Sequence, residues 1–152
     1  MDAEIKQVGI VDVSFGKGVE VIAPVNLYGC TIGNKVFIGP FVEIQKNAFI
    51  GNGTRIQSHT FICELVKIGE HCIIGHGVMF INDLFIEKKS ILPDPSNWKP
   101  TLIGNRVYIG SNATILPVKI CDDVIVGAGA VVTRDILVPG KYAGNPAVLL
   151  NE

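Results

Sequence analysis

The sequence has no long uninterrupted apolar segment, although 48% of its 152 residues are hydrophobic and its mean hydropathy is +0.41. Charged residues and glycines interrupt every apolar run before it approaches the ~18 residues that a membrane-spanning helix needs. The start of the chain also lacks a basic stretch followed by an apolar block, so nothing there is typical of a signal peptide. We therefore expect a cytoplasmic protein without a membrane span.

An excess of positive charge is also missing, and cysteines are few. The formal net charge of −1 gives no basic stripe for the phosphates of a nucleic acid. The four cysteines contain no C-x-x-C pair, which argues against a zinc ribbon or a redox motif, and we expect reduced, mostly buried thiols. A chain of this length can bury a core as one domain, residues 1–152, without metals or disulfides.

A large apolar side chain recurs every six residues through the first half of the chain. The residues at this position are Ile32, Ile38, Ile44, Ile50, Ile56, Ile62, Ile68, Ile74 and Phe80. Small or β-branched residues stand two positions before the later members, at Val36, Val42, Ala48, Thr54, Thr60, Val66, Cys72 and Val78. Glycine follows the aliphatic residue at Gly33, Gly39, Gly51, Gly69 and Gly75. We expect these glycines to adopt the positive φ of a sharp corner.

A period of six is not helical, and it predicts short strands that wind as a solenoid in which each coil pairs with the next. Three hexads make a coil of 18 residues, and the coils stack about 4.8 Å apart. The predicted buried ladders are Ile32, Ile50 and Ile68, then Ile38, Ile56 and Ile74, and finally Ile44, Ile62 and Phe80. Parallel strands usually connect by right-handed crossovers, so the period alone does not give the handedness.

The period is interrupted once and is poor at the start. It stops after Phe80 and resumes at Ile103, Ile109 and Ile115, followed by a five-residue step to Ile120 and then Val126 and Val132. The segment 84–100 between them contains three prolines and no six-residue period, which predicts a loop extruded from one corner. Asn26 stands where an isoleucine is expected, preceded by Glu20, so we expect an irregular first coil.

Several strings together resemble the hexapeptide acyltransferases over roughly residues 20–150. They are IGPFVEIQKN (38–47), IGHGVMFINDLF (74–85), IGSNATILPVKI (109–120), VGAGAVVTRD (126–135) and AGNPA (143–147). FVEIQKN, SHTFICE and GHGVMFINDLF are most similar to N-acetyltransferases of nucleotide-linked 3-amino sugars in surface-polysaccharide pathways. The resemblance implies an all-β, left-handed parallel β-helix, a homotrimer, acetyl-coenzyme A as cosubstrate, a nucleotide-sugar substrate, no metal, and active sites between subunits.

The implied chemistry is attack of a neutral amine on a thioester, which needs positioning, a route for a proton and a hydrogen-bond donor at the oxyanion. Asn82 and Asp83 immediately precede the extruded loop. We expect Asn82 to orient the amine or the carbonyl, and Asp83 to accept a hydrogen bond from an ammonium or from His59. His59 is a candidate substrate contact or proton acceptor. The alternatives are an Asn-Asp turn cap and a solvated histidine.

Three further residues are candidates for binding the sugar. Glu43 and Gln45 flank Ile44 and are expected to face outward, because alternate side chains of a strand point to opposite faces. His76 lies between two glycines, and its alternative role is to stabilise a corner.

The resemblance places the pantetheine arm of the cofactor along the later coils and its nucleotide near the C-terminal segment. The implied cofactor-binding residues are Gly110, Ser111, Gly127, Ala128, Arg134, Asn145 and Pro146. Glycine and alanine would let the backbone approach the arm closely, and Arg134 or Lys141 could meet a phosphate.

Other functions are compatible with such a fold. A γ-type carbonic anhydrase holds zinc with three histidines, but the place of its second histidine is occupied by Ile81, so the ligand set fails. A non-catalytic scaffold needs neither the extruded loop nor the AGNPA segment. A sugar O-acetyltransferase remains the alternative to an N-acetyltransferase.

Overall fold

The computed structural model describes residues 2–86 and 92–151, and it is a left-handed parallel β-helix of about seven turns with three walls. Sheet A contains β1 (Ile10–Val11), β4 (Asn26–Tyr28), β7 (Glu43–Ile44), β10 (Phe61–Ile62), β13 (Met79–Phe80), β16 (Thr114–Ile115) and β19 (Val131–Val132). Sheet B contains β2 (Ser14–Phe15), β5 (Thr31–Ile32), β8 (Phe49–Ile50), β11 (Val66–Ile68), β14 (Thr101–Ile103) and β17 (Lys119–Ile120). Sheet C contains β3 (Glu20–Val21), β6 (Phe37–Ile38), β9 (Arg55–Ile56), β12 (Ile73–Ile74), β15 (Tyr108–Ile109), β18 (Val124–Val126), β20 (Gly140–Ala143) and β21 (Val148–Leu149).

The predicted isoleucine ladders form the core. Ile32 pairs with Ile50 and Ile50 with Ile68, and each of the three is at most 1% exposed. The preceding residue of each strand faces outward, so the sheets are buried on one side only. Each isoleucine enclosed in this way contributes roughly 1.5–3 kcal/mol of hydrophobic stabilisation. The six-residue period and the coil of three hexads are therefore confirmed.

The first coil is irregular, as predicted, but Asn26 does not occupy the place of an isoleucine. Leu27, and not Asn26, pairs with Ile44, while Asn26 is its outward-facing neighbour beside Glu43. The steps from Ile10 to Phe15 and from Leu27 to Ile32 each have five residues, so counting backward in sixes from Ile32 places the earlier residues out of phase. The first coil therefore departs from the six-residue period at these two steps.

The predicted role of the glycines was wrong. None of the five glycines that follow a buried aliphatic residue has a positive φ. A Cβ on Gly51 would lie 2.5 Å from the carbonyl oxygen of Gly69, and a Cβ on Gly39 would lie 2.9 Å from the backbone nitrogen of Ser58. Glycine is needed because neighbouring coils approach this closely. The left-handed residue comes two positions later, as at Phe41, with φ 62°.

We call the turn from sheet C to sheet A the CA corner and the turn from sheet A to sheet B the AB corner. The five-residue steps before Ile32 and Ile120 both lie at the AB corner. The predicted loop, 84–100, leaves the helix at this same corner, between β13 and β14. Its described part contains a 3₁₀ turn, Pro95–Asn97, capped by Asp94, and residues 87–91 of the prediction lie outside the described residues.

The C-terminal segment closes the last coil. β20 pairs in parallel with β18, and after a turn at Asn145 and Pro146 the chain returns as β21, antiparallel to β20. Within the two described ranges, no helix has both the length and the apolar character to cross a membrane.

Candidate active site

The CA corner carries two parallel ladders of residues, one per coil. The first ladder contains Pro40, Ser58, His76, Ser111 and Ala128. The second ladder has left-handed backbone and contains Phe41, His59, Gly77, Asn112 and Gly129, with φ of 62°, 64°, 64°, 60° and 69°. His59 and His76 therefore belong to adjacent coils but to different ladders.

His59 is exposed at this corner and contacts the ring of the coil before it. Its imidazole lies 4.9 Å from the ring of Phe41, centroid to centroid, with the two planes tilted by 38°. Its backbone nitrogen donates to the carbonyl oxygen of Pro40 at 3.2 Å. The position of His59 is thus determined by the CA corner.

His76 is tied to its neighbours on both sides. Its Nδ1 lies 2.9 Å from Oγ of Ser58, and its backbone nitrogen donates to Oγ of Ser111 at 3.2 Å. These contacts fit the corner-stabilising alternative for His76. The hydroxyl of Ser111, a predicted cofactor residue, is therefore already used in a hydrogen bond between neighbouring coils.

Asn82 lies at the AB corner, 9% exposed, where the extruded loop begins. The side-chain Nδ2 of Asn82 donates to the backbone carbonyl oxygen of Glu64 at 3.2 Å. The backbone carbonyl oxygen of Asn82 accepts from the backbone nitrogen of Lys99 at 3.0 Å. The carbonyl oxygen of Glu64 can only accept, so its contact with Asn82 requires that the amide nitrogen of the side chain, and not the oxygen, faces Glu64. Among the described residues the side-chain oxygen of Asn82 accepts no hydrogen bond, so it can serve as an acceptor for a ligand.

Asp83 forms the turn that leads into the loop. Its Oδ1 accepts from the backbone nitrogen of Phe85 at 2.8 Å, the Asx-turn geometry that is common for aspartate. The second carboxylate oxygen leaves room for a ligand contact, while the first already has the turn as a partner.

Glu43 and Gln45 belong to a part-buried hydrogen-bond network on the outer face of sheet A. The two carboxylate oxygens of Glu43 accept from Asn26 Nδ2 at 3.1 Å and from Gln45 Nε2 at 3.0 Å. Gln45 Oε1 accepts from the backbone nitrogen of Glu64 at 3.3 Å, which links the network to the residue that holds Asn82.

Tyr28 lies beside the same network. Burial, and next the charges of Glu43 and Glu64, raise the pKa of its hydroxyl, while a hydrogen bond with Gln45 opposes that rise. Tyr28 therefore stays protonated at neutral pH and offers a hydroxyl at the edge of the site.

Most of the predicted cofactor residues share the CA corner. They are Gly110, Ser111, Gly127 and Ala128, with Asn145 and Pro146 in the turn that follows β20. This turn lies beside Val131, whose backbone nitrogen donates to Gly144 at 2.9 Å and whose carbonyl oxygen accepts from Ala147 at 2.8 Å. Arg134 follows β19 and lies at the AB corner, across sheet A from the others.

Coil packing alone requires a glycine at position 110. A Cβ on Gly110 would lie 2.7 Å from the Cα of Ala128, so the next coil fills that space. Gly129, with nothing within 4 Å of such a Cβ, is the glycine of this corner that leaves open surface.

The two leading candidates lie at opposite edges of sheet A. The chain takes five residue steps from His59, through β10, to Glu64, whose carbonyl oxygen accepts from Asn82, so about 16 Å separates the two edges. Among the hydrogen bonds of the described ranges, none joins His59 to Asp83. One chain therefore does not bring His59 and Asn82 to a common point.

Three contact residues were missed by sequence reasoning: Phe41 under His59, Ser58 beside His76 and Glu64 behind Asn82. Each stands 18 residues before its partner, which is one coil. Reading the sequence in columns of 18 would have identified them.

Within residues 2–86 and 92–151, no three histidine, cysteine, aspartate or glutamate side chains gather in a way that could hold a metal ion.

Comparison with known proteins identifies the family. Residues 29–64 match the family described as bacterial transferase hexapeptide (six repeats), and residues 100–134 match the hexapeptide repeat of succinyl-transferase. These matches, together with the β-helix, show that the chain belongs to the hexapeptide-repeat transferases.

The matches to individual relatives span most of this chain but a smaller share of each relative's own length. The bifunctional protein GlmU of Clostridium acetobutylicum is 36% identical over 106 residues, 69% of this chain and 21% of GlmU. A histidine-substituted perosamine N-acetyltransferase from Caulobacter crescentus, solved with CoA and GDP-perosamine, is 24% identical over 89% of this chain and 54% of that chain, with a TM-score of 0.67. A maltose O-acetyltransferase from Clostridium difficile is 22% identical over 91% of this chain and 68% of that chain, with a TM-score of 0.64. The two structures show the shared fold.

Proposed function

We propose that this chain is an acetyl-coenzyme A-dependent N-acetyltransferase that acetylates the amine of a nucleotide-linked sugar, with a 3-amino sugar favoured, in surface-polysaccharide biosynthesis. It acts as a single β-helix domain. The similarity to a perosamine N-acetyltransferase that holds CoA and GDP-perosamine supports both substrate classes.

The observation that carries the proposal is the fixed orientation of Asn82. Its Nδ2 is engaged by Glu64, so the side-chain oxygen is the group that meets a substrate. An acceptor oxygen binds an N–H of the attacking amine and points the nitrogen lone pair away from itself, toward the thioester. Positioning of this kind can supply a large part of the rate, because the reacting atoms are held in attack geometry.

The roles of the other candidates follow from their places. Glu43 and Gln45 contact the sugar, and Asp83 has one oxygen left for it. His59 contacts the acceptor or takes its proton, and His76 supports this region through Ser58. The CA corner beside Gly129 and the AGNPA turn receives the donor, and Arg134 meets a phosphate from the opposite edge of sheet A.

The functional unit that we propose is a homotrimer with a site at each interface. His59 and Asn82 lie at different corners of one chain, and a threefold interface joins two different surfaces of neighbouring subunits. The CA corner of one subunit can then meet the AB corner of the next, which completes the site.

The alternative acceptor is a sugar hydroxyl, which the similarity to a maltose O-acetyltransferase favours. A hydroxyl is a far weaker acid than an ammonium and needs a base during attack, whereas Asn82 cannot take a proton.

The test is a panel of nucleotide amino sugars with acetyl-coenzyme A, read by thiol release and by mass spectrometry of the product. Each amino sugar is paired with its N-acetylated form, in which only hydroxyls can react. We expect transfer to the amino sugar alone. Equal transfer to both members of a pair would assign O-acetylation.

No metal is part of the proposed mechanism. Exhaustive chelation is expected to leave transfer unchanged, whereas a stoichiometric zinc lost together with activity would assign the carbonic anhydrase alternative.

A further inference from the structure

Phe41 and His59 hold their rings in the same way. Both residues have left-handed backbone, with φ of 62° and 64°, so their Cα–Cβ bonds leave the corner in similar directions. Their ring centroids are 4.9 Å apart, which matches the spacing of about 4.8 Å between neighbouring strands of a sheet. A bulky residue such as phenylalanine is rarely found in this region of φ. Phe41 is also 57% exposed, so burial in the core does not explain its presence there.

The opposite side of His59 has no side chain at the next step of the ladder. That step is Gly77, and a Cβ there would lie 2.5 Å from Oδ1 of Asn112, whose amide leans over the glycine. The imidazole is therefore covered by a ring on the side of Phe41, whereas its neighbour on the other side is a glycine beneath the amide of Asn112. Beyond Gly77 along the helix lie the later coils, which contain Gly110 and Ala128.

We propose that Phe41 is a positioning residue that supports the imidazole of His59 from behind and keeps it directed toward these later coils. This inference rests on the proposed function only in assigning His59 to the substrate site. The ring contact itself is independent of any activity.

The test replaces the ring in two ways. Phe41→Leu keeps an apolar side chain of similar bulk, and Phe41→Asn supplies a residue that accepts positive φ readily, so it keeps the corner folded. Phe41→Tyr retains the ring. Phe49→Leu is the matched control, because Phe49 is 42% exposed on sheet B, away from the CA corner.

We expect both ring-less variants to raise KM for the acceptor by about three- to tenfold, the range of an aromatic pair contact, with little change in kcat. Phe41→Tyr and Phe49→Leu should stay within about twofold of the parent. In a His59→Ala background Phe41→Leu should cost less than about twofold, because a residue that acts through His59 has nothing left to position. An equal cost with and without His59 overturns the proposal.

A second measurement does not need activity. The carbon-bound imidazole proton of His59, assigned by its loss in His59→Gln, should shift in NMR spectra of Phe41→Leu and Phe41→Asn, because the ring current of Phe41 is removed. It should stay in place in Phe49→Leu, with His71 as an internal reference. If no acceptor is acetylated, the proposed function fails while this shift still decides the contact. A chemical shift of the His59 proton that is the same in the parent and in both ring-less variants overturns the proposal.

Discussion

Asn82 Nδ2 donates to the carbonyl oxygen of Glu64 at 3.2 Å, one coil earlier in the helix. The contact ties the start of the extruded loop to the regular wall of sheet A. Glu64 is itself held there, since its backbone nitrogen donates to Gln45 and its carboxylate lies 3.6 Å from Lys46 Nζ. The geometry of the proposed acceptor site is therefore set by stacked coils and does not depend on the loop alone.

Asn82→Ala is expected to lower kcat/KM by roughly 10²–10³-fold, the scale for losing one hydrogen-bonding group that acts on the reacting centre. The proposed trimer should persist and the Tm should fall little, because the substitution removes a single hydrogen bond, to the carbonyl oxygen of Glu64. Asn97→Ala, in the same loop, is the control. Steady-state kinetics below saturation decide this, and a fully active Asn82→Ala would leave the residue with a turn function only.

His59→Ala is expected to raise the acceptor KM, with kcat/KM down by about tenfold or less, because the described contacts of its ring give it no carboxylate partner. A general base would be worth roughly 10²–10⁴-fold. The pH profile separates the two roles. If His59 only contacts substrate, variant and parent rise together as the amine loses its proton. A loss above 10²-fold that shrinks at high pH would make His59 the base.

The thiols differ in burial, and labelling should follow this difference. Burial raises the pKa of Cys30 to about 11 and of Cys63 to about 12, so at pH 8 less than about one thousandth of either is thiolate. Cys121 is half-buried and lines a surface groove of about 320 Å³ with Leu102 and Leu137. We expect a thiol reagent to modify Cys121 first and Cys121→Ser to remove the fast phase. Fast labelling of Cys63 in the native protein would contradict the buried core.

The period of six was enough to predict the walls, because one buried aliphatic residue per strand leaves a direct signature. Ile38, Ile56 and Ile74 pair as their spacing requires. The inward place of Leu27 was missed because a short step of five residues, from Leu27 to Ile32, moves the earlier residues out of phase. Nothing in Asn26 itself signals that shift, since its side chain faces outward beside Glu43.

The site was harder to predict because it depends on neighbours in other coils. Asn82 was identified from its string and from its place before the loop, but its orientation depends on Glu64, 18 residues away. The pairing of Phe41 with His59 required knowledge that both adopt positive φ, which residue type alone does not indicate. Arg134 was grouped with Gly127 and Ala128 on the family resemblance, although the width of sheet A separates them.

Deleting residues 86–99 tests whether the loop is needed for folding or only for activity. β13 and β14 pair with strands outside the loop, so Tm should fall by about 4 °C or less. The contact from Lys99 to Asn82 is lost together with one wall of the site, so kcat/KM should fall by about 100-fold or more. Circular dichroism and light scattering provide the folding measurements. A deletion variant that is monomeric as well as inactive would show that the loop is structural.

Subunit mixing tests whether the site is shared between chains. Asn82→Ala damages the AB corner, and Ala128→Trp adds bulk at an exposed position of the CA corner, so each variant alone should be inactive. In trimers refolded from equal amounts, about a quarter of the interfaces join an intact AB corner to an intact CA corner, and about that fraction of activity should return. Light scattering should give a trimer before and after mixing. The double variant mixed with either single variant is the control, because every interface then lacks one intact corner. A mixture that stays inactive while forming trimers would place the complete site within one chain.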